Sequence, residues 1–127
     1  MATILIVEDN PDSMKLFRAV LAARGHTVVG LAGGHGLEEA VRSTDPALVL
    51  LDIQLPGEDG FQLLARLRAT DLPLPPIVAL TAHAMAGDRE RALEAGFDGY
   101  LTKPIDVAAF GPTVEGLLRA PRTSGPG

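Results

Sequence analysis

Carboxylate side chains follow two short apolar runs of the sequence at the point where each run ends. Glu8 and Asp9 come directly after residues 4–7, and Asp52 comes directly after residues 48–51. Three carboxylates in one crevice repel each other, so such a group is stable only with a bound cation or a shared proton. Mg²⁺ suits the group, because this ion binds a few carboxylates together with water and phosphate oxygens. The residue types therefore predict a magnesium site, provided that the fold brings the two runs together.

A hydroxyl and an amine follow two later apolar runs. Thr81 comes directly after residues 77–80, and Lys103 follows residues 99–101 with one residue between. A lysine offers a point charge to a phosphate, and a threonine hydroxyl offers a hydrogen-bond donor. Added to a metal-binding group of carboxylates, these two side chains indicate phosphoryl transfer.

The carboxylates divide into two roles. A carboxylate can itself accept a phosphoryl group and form an acyl phosphate. Asp52 is the candidate nucleophile, since it stands alone at the end of its run, whereas Glu8 and Asp9 form the metal-binding side. Acidic residues in such positions also cap helices, and a single lysine is often an ordinary surface residue. The coincidence of all these side chains at the ends of apolar runs favours the functional interpretation.

The elements that must position these side chains alternate between apolar runs and amphipathic segments. The predicted strands cover residues 3–7, 27–31, 48–51, 77–80 and 99–101. The predicted helices cover residues 11–24, 37–43, 61–69, 88–95 and 106–118. Five repeats of a strand followed by a helix predict an α/β fold with a doubly wound, five-stranded parallel sheet and helices on both faces. Ligands of such sheets bind beyond the carboxyl ends of the strands, where the polar side chains above stand.

Local signals mark the ends of the first helix. Asn10 is the predicted N-cap, Pro11 suits the first helical position, and Gly25 can end the helix. The sequence therefore predicts a well-delimited helix directly after the acidic pair.

Two glycine-containing segments need a separate interpretation. Gly111-Pro112 interrupts the last helix, and because proline removes an amide donor and crowds the preceding turn, this helix is expected to begin late or to bend there. Gly57 and Gly60 are interpreted as turn residues.

Composition narrows the classes of function. The chain has 127 residues, of which 46% are hydrophobic and 21% charged, as is typical of one globular domain. Sixteen acidic against eleven basic residues give a net charge of −5, which disfavours nucleic acid and anionic membranes as partners. The absence of cysteine excludes disulfides and thiolate metal sites.

Neither a membrane span nor an N-terminal signal peptide is expected in this chain. No apolar run approaches the roughly 18 residues of a membrane span, and no signal peptide precedes the first strand, so a cytoplasmic location is expected. Residues 1–119 are predicted to form the domain, and residues 120–127 to form a flexible tail.

Four sequence blocks resemble the receiver domain of two-component response regulators, and the resemblance extends over residues 3–118. The blocks are ILIVEDN at 4–10, LLDIQLPGEDG at 50–60, PIVALTA at 76–82 and GYLTKP at 99–104. Any one block is a weak signal, whereas all four in this order and spacing are highly specific. The resemblance implies a flavodoxin-like sheet with strand order 2-1-3-4-5.

The resemblance also implies a role for each residue of the site. Asp52 matches the phosphoacceptor and Asp9 the direct ligand of Mg²⁺. Glu8 matches the acidic neighbour that reaches the metal through water. Gln54 would offer its backbone carbonyl to the same ion.

Further residues match positions that respond to phosphorylation in the family. Thr81 matches the hydroxyl that turns toward the phosphoryl group, and Lys103 matches the amine that pairs with it. Tyr100 occupies the position of the switch aromatic, although a partly buried strand residue would look the same. Gln54 and His83 stand at the two positions that gate access of water to the acyl phosphate.

The resemblance implies a phosphorylation switch, not an enzyme with a substrate of its own. A histidine kinase or a histidine phosphotransfer protein would donate the phosphoryl group to Asp52. The altered face of the fourth helix, fifth strand and fifth helix would then bind a protein target or form a homodimer. A stand-alone response regulator is the first interpretation, since the chain ends shortly after the fifth helix and no output domain follows.

Two alternatives stay open. Residues 81–91 resemble receivers of hybrid histidine kinases as well as single-domain cell-division regulators, so the chain could be a module of a larger sensor. A flavodoxin-like binding protein would share the architecture. Its phosphate loop would be rich in serine, threonine and glycine, whereas Glu8 and Asp9 would repel an anion.

Overall fold

The computed structural model of the protein describes residues 2–55, 57–81, 87–102 and 107–119. The strands are β1 (Thr3–Val7), β2 (Thr27–Leu31), β3 (Leu48–Asp52), β4 (Gln54–Leu55), β5 (Glu58–Asp59), β6 (Ile77–Thr81) and β7 (Gly99–Thr102). The helices are α1 (Pro11–Ala23), α2 (Leu37–Thr44), α3 (Gly60–Arg68), α4 (Asp88–Ala95) and α5 (Val107–Arg119). The alternation of strand and helix predicted for the chain is confirmed.

The main sheet has five strands in the order β2-β1-β3-β6-β7, and every neighbouring pair in it is parallel. Counted along the chain without β4 and β5, this order is the predicted 2-1-3-4-5. The strand numbers differ from the prediction only because a short hairpin, β4 with β5, comes between the third and fourth strands of the sheet.

The three central strands are apolar on both faces because helices cover both. Leu5, Val49 and Ile77 pack into the apolar cluster on the side of α2, α3 and α4. Ile4 and Leu48 pack into the cluster on the side of α1 and α5. Burial on both faces explains why these strands are continuous apolar runs.

The predicted ends of α1 are confirmed. The Asn10 side chain accepts hydrogen bonds from the backbone N–H groups of Asp12 and Ser13, and Pro11 is the first helical residue. Gly25, with a φ of 90°, lies just beyond the last turn. These signals are local, so the sequence alone predicts them well.

The hairpin of β4 and β5 was not predicted. Gln54 pairs with Asp59 and Leu55 with Glu58 in antiparallel register, and Gly57 has a φ of 70° in the turn between them. Strands of two residues are too short to show an alternating pattern, so they read as a turn. The interpretation of Gly57 as a turn residue is confirmed, whereas Gly60 is the first residue of α3.

The last helix begins earlier than its glycine and proline suggested. Helix α5 starts at Val107 and contains Pro112, so of the two predicted outcomes the late start is wrong, and the bend stays a prediction. Phe110 and Val114 are both buried and anchor the helix on either side of the proline, and Phe110 stacks on Phe17 of α1 with ring centroids 5.1 Å apart. Apolar packing against α1 therefore holds the helix through the position of lowest helix propensity.

No helix among the described residues is both long enough and apolar enough to cross a membrane.

Candidate functional site

The site begins with the register of two neighbouring strands. In the parallel pair β1 and β3, Val7 lies opposite Leu51, so Glu8 and Asp52 are the residues that follow this pair along the two segments. Asp9 follows Glu8 at the turn into α1. One carboxylate oxygen from each of Glu8, Asp9 and Asp52 lies within 4.8 Å of the others. The structure thus brings together the three carboxylates that the sequence predicted to meet.

The three carboxylates differ in their exposure to solvent. Glu8 and Asp52 each expose 2% of their surface, whereas Asp9 is exposed. Burying an ionised carboxylate is costly unless hydrogen bonds or an opposite charge compensate it. The arrangement therefore has two oxygen donors held in the protein and one at the solvent boundary, a donor set that fits a hard divalent cation which also keeps water ligands.

Backbone amides orient the two buried carboxylates. The N–H of Asn10 donates to Oε2 of Glu8 over 3.0 Å, and the N–H of Gln54 donates to Oδ1 of Asp52 over 2.8 Å. Asn10 also caps α1, so the positive end of that helix dipole lies beside the acidic group. The sequence predicted Asn10 only as a cap, because its backbone contact with Glu8 has no sequence signal.

The hydroxyl predicted for the site lies at the end of the next strand. Thr81 is the last residue of β6 and exposes 1% of its surface. Asp52 pairs with Leu80 across β3 and β6, and the N–H of Ile53 donates to the carbonyl of Leu80 over 3.0 Å. Thr81 is thus one residue beyond the partner of Asp52 at the carboxyl edge of the sheet.

Tyr100 lies on the strand beside Thr81. In the parallel pair β6 and β7, Tyr100 lies opposite Ala79, and Thr102 lies opposite Thr81. Side chains on a strand alternate between faces, so Tyr100 shares a face of the sheet with Ala79 and Thr81. The Tyr100 ring is half-buried and packs against the apolar cluster on the side of α2, α3 and α4.

Two residues predicted for the site, His83 and Lys103, lie outside the described residues. Gln54 begins β4 and is exposed, with its N–H directed to Asp52. The water-gating role of Gln54, its carbonyl as a metal ligand and the division of labour between Glu8 and Asp9 remain predictions.

A cavity of about 250 Å³ adjoins the acidic group between α1 and the end of β2. Its lining residues are Glu8, Asp9, Pro11, Met14, Arg18, Gly30, Leu31 and Ala32. The sequence predicted no part in the site for Met14 or Arg18. Their spacing of four residues places both on one helix face, which is the only sequence signal for this surface.

The comparison with known families agrees with the fold. The family of the response regulator receiver domain matches residues 4–114. That match covers most of the chain, and the protein belongs to this family, as the sequence blocks indicated.

Relatives of two kinds are similar to the chain. It is 38% identical over 117 residues to the polar-differentiation response regulator DivK of Brucella anthropi, covering 91% of this chain and 95% of DivK. It is 43% identical over 106 residues to the sensor protein GacS of Pseudomonas syringae pv. syringae, covering 80% of this chain but only 12% of GacS.

Solved structures show the same fold. The BeF3-activated N-terminal receiver domain of RstA from Klebsiella pneumoniae has a TM-score of 0.83 at 35% identity, covering 93% of this chain and 99% of that one. A two-component response regulator of the LuxR family from Aurantimonas sp. SI85-9A1 has a TM-score of 0.82 at 31% identity, covering 96% of this chain and 88% of that one.

Proposed function

We propose that this protein receives a phosphoryl group on Asp52 and signals through the change of surface that follows. One observation carries the proposal: Asp52, buried at the end of a central strand, has a carboxylate oxygen within 4.8 Å of two further carboxylates. The chain belongs to a family of receiver domains, which supports a signalling role.

The reaction transfers a phosphoryl group from a histidine of the donor protein to Asp52. A carboxylate oxygen of Asp52 attacks the phosphorus atom of a phosphohistidine on the donor protein. The new O–P bond forms as the P–N bond breaks, and the electron pair of that bond stays on the imidazole nitrogen, which takes a proton from solvent. The product is an aspartyl phosphate, and no oxidant or reductant is needed.

The carboxylates would hold a magnesium ion. Asp9 and Asp52 are the proposed direct ligands, Glu8 would contact the ion through water, and the backbone carbonyl of Gln54 would complete the protein donors. When bound, the ion supplies positive charge that offsets the charge on the transferring phosphoryl oxygens. The three carboxylates would otherwise face that charge unscreened.

Thr81 and Lys103 are the proposed partners of the phosphoryl group. The hydroxyl of Thr81 would turn toward it as a donor, and the Lys103 amine would pair with its charge. Because Tyr100 shares a sheet face with Thr81, inward movement of Thr81 would give the Tyr100 ring space to rotate. His83 and Gln54 would limit the approach of water to the acyl phosphate.

The proposed partners are a histidine kinase or a histidine phosphotransfer protein as donor, and a protein target on the face of α4, β7 and α5. The cytoplasm is the proposed location, where such donors present their phosphohistidine. The match to almost the full length of DivK supports a stand-alone regulator. The match to a small part of GacS supports the alternative of a receiver within a sensor, and the genomic reading frame separates the two.

The test is phosphorylation of the variant Asp52→Asn by a small phosphodonor such as acetyl phosphate in the presence of Mg²⁺. We expect no labelling, because the amide is not a nucleophile for phosphorus. Asp71→Asn is the matched control, since Asp71 is exposed and lies between α3 and β6, at the opposite edge of the sheet. Normal labelling of Asp52→Asn would contradict the assignment.

A further inference from the structure

The first residue of α3 lies against the backbone that carries Asp52. Gly60 is buried, and a Cβ atom at this position would lie 2.5 Å from Cα of Ile53 and 2.8 Å from the backbone oxygen of Asp52. Both distances are shorter than any normal contact between such atoms. Since both atoms belong to the backbone, neither can rotate away, so the start of α3 or the segment after β3 would have to move.

This constraint is one of space and not of backbone conformation. The described glycines with positive φ are Gly25, Gly36, Gly57, Gly87 and Gly96. Gly60 is not among them, so alanine could adopt its backbone angles. At Gly30, by contrast, an added Cβ would lie 2.6 Å from the guanidinium of Arg18, which is the end of a flexible side chain and can move.

The segment that Gly60 contacts joins two of the proposed metal ligands. Ile53 lies between Asp52 and Gln54, and its N–H donates to the carbonyl of Leu80 on β6. The N–H of Gly60 donates to the carbonyl of Ile53 over 3.3 Å, and the N–H of Gln54 donates to Oδ1 of Asp52. A displacement of Ile53 would therefore move the carboxylate and the amide that orients it.

We propose that Gly60 is a positioning residue for phosphoryl transfer. The missing Cβ lets α3 begin directly on Ile53, and this close approach sets the place of the Asp52 carboxylate relative to Glu8 and Asp9. The inference rests on the proposed function of Asp52 and deepens it.

The variant Gly60→Ala tests the proposal in the full chain, with acetyl phosphate as donor. Misplacement of a reacting group by about 1 Å costs on the order of 100-fold in rate, so we expect the rate of phosphorylation to fall by roughly 10- to 100-fold. We also expect the half-saturating Mg²⁺ concentration, measured by calorimetry without any phosphodonor, to rise by roughly 3- to 10-fold, since the same displacement moves the metal ligands. Loss of stability alone would lower the amount of active protein and leave that concentration unchanged.

Two controls separate position from stability. Gly116→Ala adds a methyl group to α5 where nothing beyond its neighbouring residues and the helix's own backbone lies within 4 Å, and it should leave both quantities at their wild-type values. Leu67→Ala removes a fully buried side chain near the other end of α3, and it should reduce stability without changing the half-saturating Mg²⁺ concentration. Alanine favours a helix more than glycine does, so Gly116→Ala should add stability. If Gly60→Ala is only partly folded, the double variant Gly60→Ala/Gly116→Ala is therefore used and is compared with Gly116→Ala.

Three results would overturn the positioning role. The first is that Gly60→Ala shows the same kinetics as Gly116→Ala. The second is a loss of phosphorylation rate that is only proportional to the loss of folded protein, as in Leu67→Ala. The third is that even the double variant fails to fold, which would assign Gly60 a role in the fold instead. Failure of the proposed function looks different, because wild-type protein would then not be labelled, or Asp52→Asn would be labelled like it.

Discussion

Helices α1 and α4 flank different parts of the carboxyl edge, and they are held in the fold in different ways. Helix α1 has 13 residues, an Asn10 cap with two hydrogen bonds, and the buried side chains Phe17 and Leu21. Helix α4 has 8 residues and begins after Gly87, which provides no side-chain cap, and Ala92 is the buried residue among its described side chains. The acidic group thus stands beside a firmly packed helix, and the proposed output face includes a lightly packed one.

Helix α4 has little apolar packing of its own, and contacts from α3 hold it instead. The Arg68 guanidinium donates to the carbonyl of Gly96, which ends α4. The Arg91 guanidinium lies over the Phe61 ring, 5.6 Å from its centroid. Elements with little buried apolar surface are those that open or shift at low cost in free energy. Helix α1 thus buries more side chains beside the phosphoacceptor than α4 buries on the proposed signalling side, and we expect the signalling side to shift more readily.

The largest effect expected concerns the acidic group on the α1 side. Removal of divalent cations with excess chelator should reduce phosphorylation by at least about 100-fold, because a bound ion contributes several kcal/mol to stabilising charge in such transfers. Circular dichroism should show an unchanged fold, since the strands and helices are held by apolar packing. Undiminished phosphorylation in chelator would show that the reaction does not require a metal ion.

A pair of leucines compares the packing of the two helices directly. Leu21→Ala in α1 removes a fully buried side chain and should lower the free energy of unfolding by about 2–5 kcal/mol. Leu93→Ala in α4 removes one that is 41% exposed and should change it by less than about 0.5 kcal/mol. Urea unfolding measures both, and equal losses would break the comparison.

Thr81→Ala tests whether the two sides communicate. The variant should still be phosphorylated, since Asp52 is intact, but it should lose most of a coupling free energy of about 1–3 kcal/mol. The measurement is the change in amide shifts on phosphorylation by acetyl phosphate. We expect wild-type shifts over residues 87–119 and much smaller ones in the variant, whereas shifts of equal size would contradict the switch.

The smallest effect concerns the link between α1 and α5. The Arg24 guanidinium and the His26 ring both contact the Glu115 carboxylate, at 2.7 Å and 3.0 Å, and lower its pKa to about 2. A lowered pKa stabilises the folded state above the ordinary pKa of 4.5, and that stabilisation disappears as the pH falls toward about 2. Glu115→Gln should therefore be less stable than wild type at pH 7, with a difference that shrinks between pH 5 and pH 2. A difference independent of pH would contradict this cause.

The sequence predicted the parts of the molecule that depend on local or periodic signals. The buried strands show as apolar runs, and the Asn10 cap shows as a side chain at one position. The backbone ladder nevertheless continues past the apolar residues, so Asp52, Thr81 and Thr102 are the last residues of their strands and not the first residues after them. Polarity marked where each apolar run ends, but neither the pairing between strands nor burial ends there, since Asp52 and Thr81 are both buried.

Long-range contacts left no signal of this kind. The close approach of Gly60 to Ile53 depends on how α3 packs against the end of β3. In the sequence, such a glycine cannot be distinguished from one that merely occupies a turn. The same holds for Gly111, where an added Cβ would meet the Arg24 side chain that reaches across from α1 to Glu115. That contact explains by packing why a glycine precedes Pro112, whereas the sequence showed this pair only as an interruption of the helix.

The central claim, that Asp52 is the phosphoacceptor, can be tested by locating the modified residue chemically. Borohydride reduces an acyl phosphate of aspartate to homoserine, so treatment of the phosphorylated protein followed by peptide mass spectrometry identifies the acceptor. We expect homoserine at position 52 and unmodified aspartate at position 9. Homoserine at another position, or none in protein that carries the phosphoryl group, would contradict it.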